Sequence, residues 1–276
     1  MAGPRKERSP QKSYEKILKQ EISEGLQELN RPIPGLLISG IAAGLEISFS
    51  VFLIGVLLTL TKEPRDSPIT AILLANAYSI GFIFVILGRS ELFTEHTTRA
   101  NYPVLAGRAG VGALVRLWLL VLAGNLVGTA IFSEFTVIIG PALGVINMHS
   151  LGEIGSATVA HPWWVILMSG IMAGWMMGLL SWLVTAGRDT ISQVVFVWVI
   201  TSAIGICRFH HSIVGSGEVL SNIFAGQGLS LRDYGYFLLW SATGNAVGGV
   251  VFVGLLKYSH VMHRGEAPEP DQAVEL

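Results

Sequence analysis

Charge is scarce in this sequence. Only 13% of its 276 residues are Asp, Glu, Lys or Arg, whereas a soluble domain carries about 25%. The deficit is uneven. Charges crowd the first 31 residues and a few short loops, and apolar runs fill the space between them. Several of those runs exceed the roughly 20 residues needed to cross a bilayer, which excludes an ordinary soluble fold. The net charge of −1 therefore says little about partners, and no nucleic acid is expected among them. Cysteine is almost missing too. Cys207 stands alone, which excludes an internal disulfide and a thiolate metal site. No metal or cofactor is expected. The first 30 residues have no apolar core, so they are not expected to be a secretory signal.

What is present has a clear order. Residues 1–12 are basic, polar and expected to be disordered. From Ser13 to Asn30, Leu18, Ile22, Leu26 and Leu29 recur at helical spacing between Lys and Glu. That pattern fits a helix packed on the protein body or one lying on a membrane surface. Pro32 and Pro34 end this N-terminal segment, residues 1–31. Six hydrophobic segments follow, at about 34–60, 69–98, 112–140, 163–186, 191–224 and 233–260. They predict an all-α transmembrane domain over 32–262, before an acidic cytoplasmic tail, 263–276, expected to be disordered.

Basic residues orient the spans. With the N-terminus inside, Arg5, Lys6, Arg8, Lys12, Lys16, Lys19 and Arg31 lie inside. So do Arg99, Arg108, Arg116, Arg188, Lys257 and Arg264. Only Lys62, Arg65 and Arg232 fall outside, and the loop 141–162 has no Lys or Arg. The asymmetry predicts a multi-pass protein of the bacterial inner membrane with both termini cytoplasmic.

Arg89 and Arg208 fall inside apolar segments. The second segment is interrupted by GRSELFTEHTTR at 88–99, and the fifth by RFHHSIVGSGE at 208–218. A central Arg on a lipid-facing helix costs about 2.5–3.5 kcal/mol even on mild scales. Broken helices that line a polar cavity avoid that cost.

The chain also repeats. SGIAAG at 39–44 returns as SGIMAG at 169–174, and GNLVG at 124–128 as GNAVG at 244–248. The breaks follow, with Glu91 placed opposite His211 at an offset of 120. The halves, about 34–140 and 163–260, each hold three spans, so the second enters the membrane inverted. Inverted repeats with broken helices place a pathway between the halves. Glycines four residues apart supply close helix contacts.

These residues resemble the formate/nitrite transporter family. SELFT at 90–94, GN at 124–125, FHHS at 209–212 and GNAVGG at 244–249 carry the resemblance, which covers about 30–260. The extended SELFTEHT form resembles a less characterised branch. The resemblance implies an aquaporin-like arrangement of six helices, the second and fifth broken. It implies a homopentamer with one pore per protomer, and small monovalent anions or weak acids such as formate, nitrite, hydrosulfide or acetate as permeants. It places the central histidine at His211 and the threonine of the first broken helix at Thr94. Phe82 and Phe93, with Ile204 and Phe209, would form hydrophobic constrictions. The sequence departs from the family pattern at Arg89, Arg208, Glu95, His96, Gly174 and Gly215, and it lacks the vestibule lysine, with His161 nearest.

Among candidate site residues, His211 is expected to polarise or protonate the permeant. A bare anion crossing a dry constriction costs several kcal/mol in order of magnitude, so a neutral acid crosses more cheaply. Thr94 is expected to bond His211 or the permeant, or to cap a helix end. His210, one residue away, faces elsewhere and reads as structural. Arg89 and Arg208 either draw anions to the pore mouths or pair with Glu91, Glu95 or Glu218. Asn125 and Asn245 are expected to satisfy backbone groups at the breaks. Other readings stay open: a poorly conducting or sensory homologue, a neutral-solute channel lacking the Asn-Pro-Ala repeats, and a hydrolase built on Ser216 that lacks a third orienting group. An enzyme is not expected.

Overall fold

The structure, a computed structural model, describes residues 12–61, 64–65 and 67–263. Arg5, Lys6, Arg8, Lys62 and Arg264 of the charge count, the expected disorder of residues 1–11 and the tail after His263 lie outside the described residues. Those described are helical almost throughout and include no strand. A helix satisfies its own backbone groups, which a bilayer core cannot do for it. Six helical stretches among the described residues are long and apolar enough to cross a membrane.

The first is α2 (Ile33–Leu60), after an amphipathic α1 (Tyr14–Leu29). Pro34 falls in the first turn of α2, where a missing N–H is no loss. The second arm, α3 (Pro68–Gly88), stops at a break and resumes as α4 (Phe93–Arg99) and α5 (Asn101–Leu105). The third span, α6 (Val111–Ala142), completes the first half. The second half runs through α8 (Trp163–Ala186), α9 (Thr190–Cys207), a break, α10 (Ser212–Phe224) and α11 (Leu231–Val247). α11 continues through a π-helical stretch, Gly248–Leu255, into α12 (Leu256–His263).

The repeated glycines do what their spacing predicts. Gly40 faces Gly124 and Gly170 faces Gly244, with backbone against backbone. A Cβ on Gly44 would strike the Asn125 carbonyl, and one on Gly174 the Asn245 carbonyl. These contacts seat α2 on α6 and α8 on α11 in the same way, so the two halves share one packing scheme.

Two elements escaped the sequence reading. The loop 141–162 contains α7 (Met148–Val159), which packs on α10. The π-helical stretch widens the last span beside α4. There Thr98 Oγ1 donates to Gly249 O at 3.1 Å, and a Cβ on Gly249 would strike the Thr97 and Thr98 hydroxyls.

α1 lies on the protein body. Ile17, Leu18 and Ile22 are buried with Tyr102, Trp182 and Val261. Its apolar stripe is thus covered by side chains, and the membrane-surface reading of α1 is replaced by the packed one.

Candidate functional site

The site begins with two asparagines. Asn125, fully buried on α6, accepts from Phe93 N–H at 2.9 Å and donates to Gly40 O and Glu91 O at 2.9 and 2.8 Å. Asn245 on α11 accepts from Ser212 N–H at 2.8 Å and donates to Gly170 O and His210 O, both at 2.9 Å. Each amide ties a broken chain to the neighbouring glycine helix. An interrupted helix leaves donors and acceptors without partners, and an asparagine side chain supplies both kinds. Serines from the repeated motif add to each clamp. Ser39 Oγ accepts from Glu91 N–H at 3.2 Å, and Ser169 Oγ from His210 N–H at 2.8 Å.

These bonds correct the register of the repeat. Glu91 is matched by His210, Phe93 by Ser212 and Arg89 by Arg208, each at an offset of 119. His211 is matched by Leu92, and the two stand as N-caps of α10 and α4. One residue fewer separates the breaks than separates Asn125 from Asn245.

The breaks meet at His211. Its Nε2 lies 2.8 Å from Thr94 Oγ1, and both residues are buried, at 2% and 0% exposure. Val214 N–H donates to His211 Nδ1 at 3.3 Å, so Nδ1 carries no proton in this arrangement. A neutral ring then bears its hydrogen on Nε2 and donates to Thr94. The Thr94 hydroxyl proton is left to point elsewhere. Phe82 closes one side, its ring edge-on to the imidazole with centroids 5.0 Å apart.

A cavity of about 310 Å³ reaches this point. Ile204, Phe209 and His211 line it, with Tyr78, Arg65, His161, Arg208, His210 and Glu218. Phe93 is buried elsewhere, edge-on to Trp118 with centroids 6.4 Å apart, and is not among the lining residues.

His210 is held by structure, with Nδ1 2.6 Å from Ser169 Oγ and Nε2 3.2 Å from Thr158 O. Thr158 also donates to Glu218. Ser216 Oγ donates to Ser212 O at 2.6 Å, while His211 is engaged by Thr94 and Val214. The serine and histidine of the hydrolase reading are therefore not hydrogen-bonded to each other.

The charges at the breaks sort differently from expectation. Glu91 pairs with Arg31 and His96, and Glu95 with Arg99 at 2.7 Å. Arg89 and Arg208 stand at the helix ends. Those two arginines cap α3 and α9 in the left-handed conformation, at φ 57° and 53°. That conformation costs a non-glycine residue roughly 1–2 kcal/mol, while a cation at a helix C-terminus recovers part of it.

Sequence reasoning missed Arg31, His96 and the α1 carboxylates as partners of the first break. Glu21, fully buried on α1, accepts from Thr185 Oγ1 at 2.7 Å and pairs with Arg99 at 3.3 Å. Burial pushes the Glu21 carboxyl above its ordinary value, with Arg99 and Thr185 pulling the other way. Ser39 and Ser169 were legible, since each opens the repeated SGI motif.

Comparison with known proteins agrees with this architecture. The formate/nitrite transporter family model matches residues 15–259. Inner membrane protein YfdC of Escherichia coli (strain K12) is 30% identical over 241 residues, covering 86% of this chain and 76% of its own. A solved FNT family ion channel superposes with a TM-score of 0.77 at 24% identity, over 90% of this chain and 98% of that one. A pentameric formate channel with formate bound superposes at 0.68 and 23% identity, over 83% of this chain and 98% of that one. The inverted halves, the paired breaks and the match along nearly the whole chain make this a member of the formate/nitrite transporter family, a transport protein and not an enzyme.

Proposed function

We propose that the chain assembles as a homopentamer in the bacterial inner membrane and passes small monovalent anions or their weak acids, of the formate, nitrite, hydrosulfide and acetate class. Residues 32–262 form the channel domain, with both termini cytoplasmic. Each protomer carries its own pathway, through the cavity that ends at His211 and past Thr94. The observation that carries the reading is the His211–Thr94 bond, buried where the two broken helices meet.

Residues of this chain do the following. Arg65 and Arg208 outnumber Glu218 among the charged side chains lining the cavity, a balance that concentrates anions. Ile204 and Phe209 then strip water from the permeant. His211 donates to Thr94, and the Thr94 hydroxyl donates onward to a permeant oxygen. Hydrogen bonding from this pair holds and polarises the anion, while its desolvation beside Ile204 and Phe209 raises the acid's pKa, so that it takes a proton from water in the cavity and passes Phe82 as the neutral acid. The formate channel that superposes on this chain binds formate in its own structure, which supports the size class of the permeant.

The test is uptake into liposomes holding the purified protein, with formate, nitrite, hydrosulfide or acetate outside at pH 5 and pH 7. Internal pH is the readout. Acid-dependent uptake by wild type and an altered pH profile in His211→Asn are expected. Uptake absent for every acid at both values would favour the poorly conducting homologue. An unchanged profile in His211→Asn would remove the histidine from the mechanism.

A further inference from the structure

The cytoplasmic-side charges around the first break hold more than ion pairs. Glu21, Glu24 and Glu28 of α1 gather with Glu91 and Glu95 around two arginines, Arg31 and Arg99. Five carboxylates face two permanent cations there, so negative charge is in excess in a largely enclosed place. His96 sits in the middle. It is 1% exposed. Its Nδ1 lies 2.8 Å from Glu28 Oε2, and its Nε2 touches Glu91 Oε2. Neither contact has the alignment of a hydrogen bond, and both ring nitrogens and Glu28 Oε2 are left without a hydrogen-bond partner. The outer oxygens behave otherwise. Glu91 Oε1 is taken by Arg31, and Glu28 Oε1 by Arg99 at 3.4 Å. Each carboxylate thus gives one oxygen to an arginine and turns the other towards the imidazole.

We propose that Glu28, Glu91 and His96 bind a divalent first-row transition-metal cation that fastens α1 to the first broken helix. One ligand atom from each already lies within 4.8 Å of the other two. Ligand atoms around a tetrahedral ion with bonds near 2.0–2.2 Å stand about 3.3–3.6 Å apart, so forming the site takes a side-chain shift of about 1 Å, which opens the close His96 contacts and draws in any pair nearer the 4.8 Å limit. Glu28, near the surface at 13% side-chain exposure, has room to make it. One imidazole nitrogen with two carboxylate oxygens suits zinc and its neighbours better than calcium or magnesium, which prefer all-oxygen shells. Arg31 and Arg99 hold the outer oxygens and orient both carboxylates. The ion offsets the excess negative charge and joins residues far apart in sequence.

The experiment uses the full chain with its purification tag removed, stripped by EDTA in detergent and titrated with zinc chloride. Gel filtration followed by elemental analysis reads the retained metal, and X-ray absorption reads its shell in the wild type. One zinc per chain is expected, in a nitrogen and oxygen shell with a single imidazole. Glu28→Gln and His96→Gln should each weaken retention by at least about tenfold, while His149→Gln, at an exposed histidine, should not. A wild type that retains no zinc overturns the proposal, whatever the variants do. A shell with two or more imidazoles overturns it as well, since it would place the metal on surface histidines such as His260 and His263. So does nitrogen NMR of zinc-treated wild type showing His96 doubly protonated, which would make the cluster a plain imidazolium bridge.

Discussion

Replacing Asn125 by Ala isolates what holds a break in place. The amide serves Phe93 N–H, Gly40 O and Glu91 O at once, all buried. Each backbone group left bare costs about 1–3 kcal/mol. Three such groups, with some water entering, cost about 3–6 kcal/mol. The loss falls on the segment around 89–94, since α6 itself keeps its helical bonds. Amide exchange there should quicken by about 10²- to 10⁴-fold in the regime where exchange reports opening. Asn245→Ala removes the matching three bonds, to Ser212, Gly170 and His210, and should quicken exchange by a similar factor around 208–213. Mass-spectrometric hydrogen exchange on both variants reads the two effects separately. Equal protection at both breaks in each variant, or acceleration spread evenly over all six spans, would refute the clamp reasoning.

Other expectations follow from packing and charge. Gly44→Ala and Gly174→Ala drive a methyl into a neighbouring backbone and should abolish recovery of folded protein on gel filtration, whereas Gly112→Ala, in open space, should be neutral. Arg99→Gln leaves the buried Glu21 carboxylate without its cation, a loss of about 3–5 kcal/mol for such pairs. α1 should then undock, read as raised spin-label mobility at Glu15→Cys in a Cys207→Ser background, and adding Glu21→Gln should restore docking. The pH response has a definite sign. Docked Glu21 holds its proton more tightly than free Glu21, so the Glu21 contribution to docking is fully present below the ordinary carboxylate value of 4.5. It weakens as pH rises from there through the docked value. The same label should show that trend in wild type and a smaller one in Glu21→Gln.

The spans and breaks were readable because their causes are local. Apolar length marks a span, and the charged stretches from Arg89 and Arg208 mark where one stops. The glycine repeats were readable for the same reason, since close backbone approach requires the residue itself to be small. Asn125 and Asn245 could be picked out because they stand inside the repeated motif. The register of the two breaks was misjudged by one residue. Counting from the asparagines assumes equal spacing in both halves, and only hydrogen bonds to Glu91 O and His210 O reveal the difference. The partners of Glu91 and Glu95 were misassigned because they come from Arg31 and Arg99, and His96 and the α1 glutamates join them only once α1 has folded back. α7 and the π-helical stretch left no signal either. The first hides in a mixed-polarity loop, and the second depends on the hydroxyls of Thr97 and Thr98 pressing against Gly249.

Both clamps grip main-chain oxygens, at Glu91 and His210, and ignore the side chains those residues carry. The side chains at these two places therefore differ between the halves while the clamps stay alike. One mouth acquired an acid and the other an imidazole, on identical supports. The two sides of the membrane are thus told apart by groups hung on a mirror-built frame, and exchanging residues 91 and 210 would keep both clamps while cutting Glu91 from Arg31 and His96 and His210 from Ser169 and Thr158.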